Sequence, residues 1–435
     1  MSDRSLAWLF LAASLCGAWF TWNALRPMAG PSRRGVVSFF AGWLTGELAL
    51  HHLAWQFGMT LVFARAGALR AWPGLVGLVI TLLSWLGLAR CVVVARRAGA
   101  VVEQALREGL GPRHVEGIPT RAVGPHPPAI DWRHVLVPFP IRHPEVERVR
   151  DVVYARAGGR DLKLDVYRHR NHPAGCPTLL QIHGGAWILG SKNEQGLPLM
   201  HHLAARGWVC VAADYRLSPH ATFPDHVVDL KRAIAWIRAQ GAAYGADPDF
   251  VVVTGGSAGG HLAALVALTP NDPEYQPGFE GVDTAVEGCV AFYGVYDFTD
   301  RDGLWPDDGL RRLLERRVLK VPFASAPEAY EKASPLSRLR PDAPPFFVLH
   351  GTHDTLVPVE EARRFAAAFR RVARAPLVYA ELPGAQHAFD LFPSVRSLLV
   401  IPAVERFLAW VHAGYLGRSA RLESTGRPQE SARRR

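Results

Sequence analysis

Hydrophobic and polar positions fall into two unlike rhythms along the 435 residues. The first hundred carry long uncharged stretches with no strand-like alternation. Residues 6–25 contain no charged side chain, and about 20 apolar residues at 1.5 Å rise are enough to cross hydrocarbon as a helix. A second apolar run over 36–64 is interrupted by Glu47, His51 and His52. Ionisable groups at membrane depth are costly, so these three residues pack by hydrogen bonding in a helix bundle, mark an interfacial bend between two half-segments, or serve a metal or proton relay. A third run, 72–89, is closed by Arg90, Arg96 and Arg97. Three spans is the preferred count and two the alternative. A cleavable signal peptide fits less well, because Arg4 faces Asp3 and no small-x-small site follows.

From about residue 150 the rhythm changes. Residues 152–155 and 162–167 read as paired strands around Gly158 and Gly159. The continuous apolar runs 178–182 and 209–213 fit strands buried on both faces, and 289–293, 346–349 and 377–382 read as later strands. Helical spacing covers 229–240, 359–372 and 395–413. Strands alternating with helices on this scale predict an α/β domain with a mainly parallel sheet covered on both sides. The expected organisation is a membrane-spanning helical region (1–112), a Pro- and Gly-rich linker that doubles as a cap (113–149), the α/β domain (150–416) and a disordered Arg-rich tail (417–435).

The net charge of +10 comes mainly from scattered arginines that cluster only beside the apolar runs and in the tail. That is a membrane-flanking pattern, and it argues against nucleic acid as a partner. With three spans, Arg26, Arg33, Arg34, Arg90, Arg96 and Arg97 share a side with the α/β domain while Arg4, Arg65 and Arg70 lie opposite, so the domain is expected in the cytoplasm. The five cysteines have no C-x-x-C spacing, which supports neither a disulfide framework nor a cysteine metal site.

The chemistry centres on Gly255-Gly256-Ser257-Ala258-Gly259, between the β-branched run ending at Thr254 and a helix-forming stretch from Leu262. In a G-x-S-x-G turn the serine sits on a strained backbone that its small neighbours permit, with its hydroxyl raised above the sheet. Attack on an ester needs a base, an acid to orient it and donors for the oxyanion. His387, in a loop after a strand, is the base candidate, with His353 its rival. Asp354, also after a strand, is the orienting acid. All three groups fall at carboxyl ends of strands, where open parallel sheets gather ligands. Paired glycines after residues 178–182, in Gln181-Ile182-His183-Gly184-Gly185-Ala186-Trp187, form the expected oxyanion loop, to which Ala258 adds a further N–H.

The succession HGGAW, DYRLSPHATFPDHVVDLKRAIAWI, GGSAGG, HGTHDTLVP and QHAF, over 152–413, resembles the hormone-sensitive-lipase-like carboxylesterases of the α/β-hydrolase fold. The resemblance implies Ser257 as nucleophile, Asp354 and His387 as its triad partners, and N–H donors from Gly184, Gly185 and Ala258. It also implies that His183 braces the loop, and that no metal or organic cofactor is needed. Ala186 stands where the family pattern usually has a third glycine, which puts the loop's tolerance of bulky alcohol groups in doubt. The expected function is a membrane-anchored serine esterase or lipase acting on small or lipid acyl esters. An amide deacylase and a non-catalytic ligand-binding protein on the same scaffold are the alternatives. Residues 298–339 and 111–144 are the expected covers of the site, with Phe139, Trp187, Trp305 and Phe323 as apolar lining. Deleting the first 112 residues is expected to spare short soluble esters while reducing activity on lipid-borne ones.

Overall fold

A computed structural model describes residues 2–28, 32–116, 118 and 130–424. The apolar N-terminal region folds into α1 (Asp3–Leu25), α2 (Ser32–Glu47), α3 (Ala49–Arg65) and α4 (Trp72–Arg96), and α5 (Ala98–Leu110) continues the line of α4 after Arg97. α1 and α4 pack closely because small residues line the contact. A Cβ placed on Gly77 would stand 3.2 Å from the Leu11 Cα, Thr21 and Ser84 share a hydroxyl hydrogen bond at 2.7 Å, and Thr81 donates to Ser14 at 2.9 Å. The second apolar run does not form one long helix. It breaks at Leu48, beside Glu47, into α2 and α3. Among the described residues three helices are long and apolar enough to cross a membrane: Asp3–Leu25, Trp72–Leu110 and Val395–Arg421. The third of these is largely packed inside the protein.

After the short helix α6 (Trp132–Leu136) comes an eight-stranded sheet: β1 (Val146–Ala157), β2 (Arg160–His169), β3 (Cys176–Ile182), β4 (Val209–Ala213), β5 (Ala246–Gly256), β6 (Gly288–Phe292), β7 (Phe346–Gly351) and β8 (Leu377–Leu382). Their order is β1-β2-β4-β3-β5-β6-β7-β8. β2 is antiparallel to both neighbours and every other pairing is parallel. The helices are α7 (Leu197–Ala205), α8 (Asp225–Gln240), α9 (Ala258–Leu268), α10 (Gly309–Leu313), α11 (Pro327–Ala333), α12 (Val359–Val372) and α13 (Val395–Ser424). Strand side chains alternate between two cores, as a two-residue period requires. Leu180, Val253, Ala291 and Val348 face α8, α9 and α12; Leu179, Val252, Val290 and Phe347 face α5, α7 and α13.

Two boundaries differ from those read in the sequence, each for a packing reason. α5, placed with the membrane region above, contributes Ala98, Val102, Ala105 and Leu106 to the second core. It lies so close to β8 that a Cβ on Gly109 would come within 2.9 Å of the Leu377 carbonyl and the Val378 Cα. Truncation after residue 112 would therefore remove part of this core as well as the apolar helices, so it would not test the membrane helices alone. α13 runs on to Ser424 where the tail was expected to begin. There Arg418 pairs with Glu287, which a tail with no contacts would not do. Residues 425–435, and part of the linker expected to cover the site (117 and 119–129), lie outside the described residues.

Candidate active site

The turn between β5 and α9 places Ser257 at φ 59° and ψ −123°, a strained conformation for a residue with a side chain. Its neighbours show why glycine flanks it. A Cβ on Gly256 would stand 2.6 Å from the Tyr293 hydroxyl, and one on Gly255 would meet the Ile182 carbonyl at 2.6 Å. The Ser257 amide donates to the Phe292 carbonyl at 3.0 Å. The hydroxyl-bearing residue thus stands over the ends of β5 and β6.

Asp354 and His387 meet in the loops after β7 and β8, with Nδ1 of the imidazole 2.6 Å from Oδ2 of the carboxylate. The other oxygen, Oδ1, accepts the amides of Leu356 at 2.9 Å and Val357 at 2.8 Å, and His350 Nε2 lies 3.2 Å from Oδ2. Asp354 is buried. Burial alone would raise its pKa, but the charge of His387 and the hydrogen bonds from His350 and His387 outweigh it and hold the carboxyl far below its ordinary range. A carboxylate on Nδ1 fixes the proton there and leaves Nε2 as the basic nitrogen. His353, the rival base, turns instead to the Ala24 carbonyl, with Nδ1 3.2 Å away.

Tyr293 joins the two halves. Its ring centroid is 4.5 Å from that of His387 while its hydroxyl lies under Gly256 and donates to the half-buried Asp390. Nothing in the sequence marked Tyr293, because its role depends on where β6 ends relative to two distant loops.

The glycine loop after β3 lies against the elbow: a Cβ on Gly184 would be 3.1 Å from the Cβ of Ser257. The expected donor set needs one correction. The Gly184 amide donates to Gln195 Oε1 at 2.6 Å, so it is already committed. The amides of Gly185, Ala186 and Ala258 make no backbone or side-chain hydrogen bond among the described residues. Gly185 sits at φ 116°, where a Cβ would collide with the Leu189 carbonyl at 2.2 Å. Ala186 at φ 52° and Trp187 at φ 61° hold left-handed conformations without being glycine. His183 stacks on Tyr215 with ring centroids 4.3 Å apart, its Nδ1 is 2.8 Å from the Gly184 carbonyl, and burial lowers its pKa. These are the contacts of a residue that shapes the loop from below.

The expected apolar lining divides. Trp187 is buried, donates to His261 Nδ1 at 3.1 Å and packs edge-on to Phe298, so it anchors the loop to α9. Trp305 and Phe323 sandwich the Arg311 guanidinium and belong to the packing of 298–339. Phe139 packs on Phe392 with centroids 5.8 Å apart, on the His387 side. No cluster of His, Cys, Asp or Glu among the described residues is arranged to hold a metal.

Residues 164–369 match the BD-FAE family model. A relative from Mycobacterium tuberculosis named "Probable carboxylic ester hydrolase LipM" is 44% identical over 419 residues, covering 94% of this chain and 94% of that one. Esterase LipQ from the same organism is 40% identical over 390 residues, covering 88% of this chain and 86% of its own. Among solved structures, the butyrate-bound esterase Est2 of Thermogutta terrifontis is 31% identical with a TM-score of 0.51, covering 60% of this chain and 91% of that one. The same esterase, 29% identical with a TM-score of 0.51, has also been seen phosphonylated by sarin.

Proposed function

Since the chain belongs to the carboxylic ester hydrolase family of LipM and LipQ and has the α/β-hydrolase fold of Est2, we propose that it cleaves acyl esters through Ser257, His387 and Asp354 while anchored in a membrane. The observation that carries this reading is the buried Asp354–His387 pair at 2.6 Å, linked through Tyr293 to the strained Ser257 turn. His387 Nε2 takes the proton as Ser257 attacks the acyl carbon. Asp354 holds the ring in the required tautomer and stabilises the imidazolium that forms. The alcohol leaves with that proton, and water activated by the same imidazole releases the acid from the acyl-enzyme.

Gly185, Ala186 and Ala258 supply the N–H groups for the oxyanion, with Gly184 serving as the hinge that lets the loop approach the elbow. Each such donor is worth about 10²- to 10³-fold in rate. Phosphonylation of Est2 by sarin supports the nucleophile in particular, since that chemistry needs an activated nucleophile of this kind.

For the membrane, α1 and α4 supply apolar length, and their exposed faces carry Trp8, Leu15, Trp22, Leu83 and Leu86. The Ala24 carbonyl at His353 Nδ1 and the core packing of α5 put the α/β domain at the end of the bundle flanked by Arg26, Arg90, Arg96 and Arg97. The positive-inside rule then gives a cytoplasmic domain, and a site held beside the bilayer favours a substrate that partitions into lipid.

A fluorophosphonate probe on the full chain in detergent tests the catalytic reading. Labelling is expected at Ser257 and is expected to vanish in Ser257→Ala; a folded chain that takes up no label, or labels elsewhere, would refute it.

A further inference from the structure

α2 has three unlike faces. Ser38 and Gly42 lie against the end of α1, where Ser38 donates to Asn23 Oδ1 at 2.7 Å. Phe39, Trp43 and Glu47, spaced four apart and so on one side of the helix, lie against the loops that hold Asp354 and His387. The Phe39 ring stands edge-on to the His387 ring with centroids 6.0 Å apart. Trp43 Nε1 donates to the Ala388 carbonyl at 2.8 Å. The buried Glu47 accepts from Arg396 Nε at 2.8 Å and from Ser394 at 2.7 Å. Arg396 in turn donates to the carbonyl of Pro383 at 2.6 Å, in the same loop as His387. At the other end of α2, Thr355, next to Asp354, donates to the Gly35 carbonyl at 2.9 Å. The helix therefore follows the α/β domain along its whole length and does not leave it.

The third face is apolar and open: Val37 is 51%, Phe40 57% and Leu44 38% exposed. Sixteen residues reach about 24 Å, short of the roughly 30 Å of hydrocarbon in a bilayer. α2 packs on the end of α1 and leads into α3, and α1 and α4 carry exposed apolar residues of their own. The apolar rim also continues in Leu136, Val137 and Phe139, which are exposed as well. Phe139 reaches Trp43 through Phe392.

We propose that α2 lies in the bilayer surface as the lipid-side wall of the ester-cleaving centre, with Val37, Phe40 and Leu44 among the acyl chains and Phe39 and Trp43 against the His387 loop. This rests on the proposed catalytic and membrane reading and narrows it. The substrates are esters whose chain stays in the bilayer, and they approach His387 past α2. An amphipathic helix of this kind binds an interface through its buried apolar area.

Two measurements on the full chain in phosphatidylcholine–phosphatidylglycerol vesicles test the proposal. Cys16 is exposed and the other four cysteines are buried, so a nitroxide on Phe40→Cys in a Cys16→Ser background reports on that face. It should be relaxed by oxygen much more than by a water-soluble nickel chelate; preferential relaxation by nickel overturns the proposal. The double variant Phe40→Ser/Leu44→Ser should lose about tenfold or more in kcat/KM on an ester of a long-chain acid dispersed in the vesicles, with a short soluble ester unaffected. Loss on both esters, or on neither, overturns it. Fluorophosphonate labelling of Ser257 in the same preparations separates the two levels: if the parent chain takes up no label, the catalytic reading has failed, whatever the nitroxide shows.

Discussion

Ser257 is held by the α/β domain alone, through the β5–α9 turn and its neighbours Gly184, Phe292 and Tyr293. The Asp354–His387 pair is held by its own loops and, in addition, from outside the domain by Gly35, Trp43 and Glu47 of α2. The difference follows from what each group needs. A nucleophile needs a strained backbone and an exposed hydroxyl, which a few adjacent residues can supply. A base needs its ring aimed, which takes contacts on several sides and can draw on any element that passes. In this chain the passing element is the N-terminal region, so its helices and the Asp354–His387 half of the centre are built together.

The largest expected effect comes from breaking the base half at its acid. Asp354→Asn keeps the shape but offers Nδ1 a partner that no longer requires a proton on that nitrogen, and it removes the charge that stabilises imidazolium. Loss of kcat by about 10⁴-fold is expected, with fluorophosphonate labelling slowed in parallel. A variant within tenfold of the parent would show that His387 is aimed by its other contacts. The same carboxylate contributes to stability, and the sign is fixed. A carboxyl whose folded pKa lies below its ordinary 3.8 stabilises the fold above that value and loses the contribution as pH falls below it. Denaturation midpoints of parent and variant should therefore converge in acid.

On the nucleophile half the corresponding test is Gly185→Ala. The backbone is at φ 116° and the added Cβ would lie 2.2 Å from the Leu189 carbonyl, so the loop must shift and carry its amides away from the oxyanion. A fall in kcat of about 10²- to 10³-fold is expected, together with a lower thermal midpoint, because the added Cβ meets backbone between the buried Gly184 and Trp187. Intact turnover would place the donors elsewhere.

The parts that could be read in the sequence are those whose cause is local. The Ser257 turn announces itself because the strained serine and the glycines that make room for it are consecutive, although the atoms those glycines avoid, on Ile182 and Tyr293, are distant. The strands did so because burial on both faces leaves an unbroken apolar run. What could not be read depends on distant partners. Whether the Gly184 amide is free rests on Gln195, eleven residues on. Glu47 reads as a charge stranded in an apolar run unless Arg396 is placed beside it, and α5 reads as part of the membrane-spanning region unless β8 is placed against it. A buried ion pair of this kind leaves no periodic trace, since one member lies at each end of the chain. Cores repeat, whereas clamps occur once.

The smallest effect is the one that bears most directly on the difference between the two halves. Trp43→Phe keeps an aromatic ring between Phe39 and Phe392 and removes only the N–H that reaches the Ala388 carbonyl at 2.8 Å. One neutral hydrogen bond contributes about 1 kcal/mol, so a reduction in kcat near fivefold is expected if all of it goes to aiming His387. Because Trp43 does not touch the serine turn, KM for a short ester should stay unchanged. A general loosening of the fold would instead lower the thermal midpoint and disturb both halves alike. The rate of fluorophosphonate labelling separates the cases: an imidazole aimed less well should slow labelling of Ser257 in step with kcat. A variant that labels at the parent's rate and has a lower midpoint would mean that α2 contributes only stability, and that the base half, like the nucleophile half, is complete within the α/β domain.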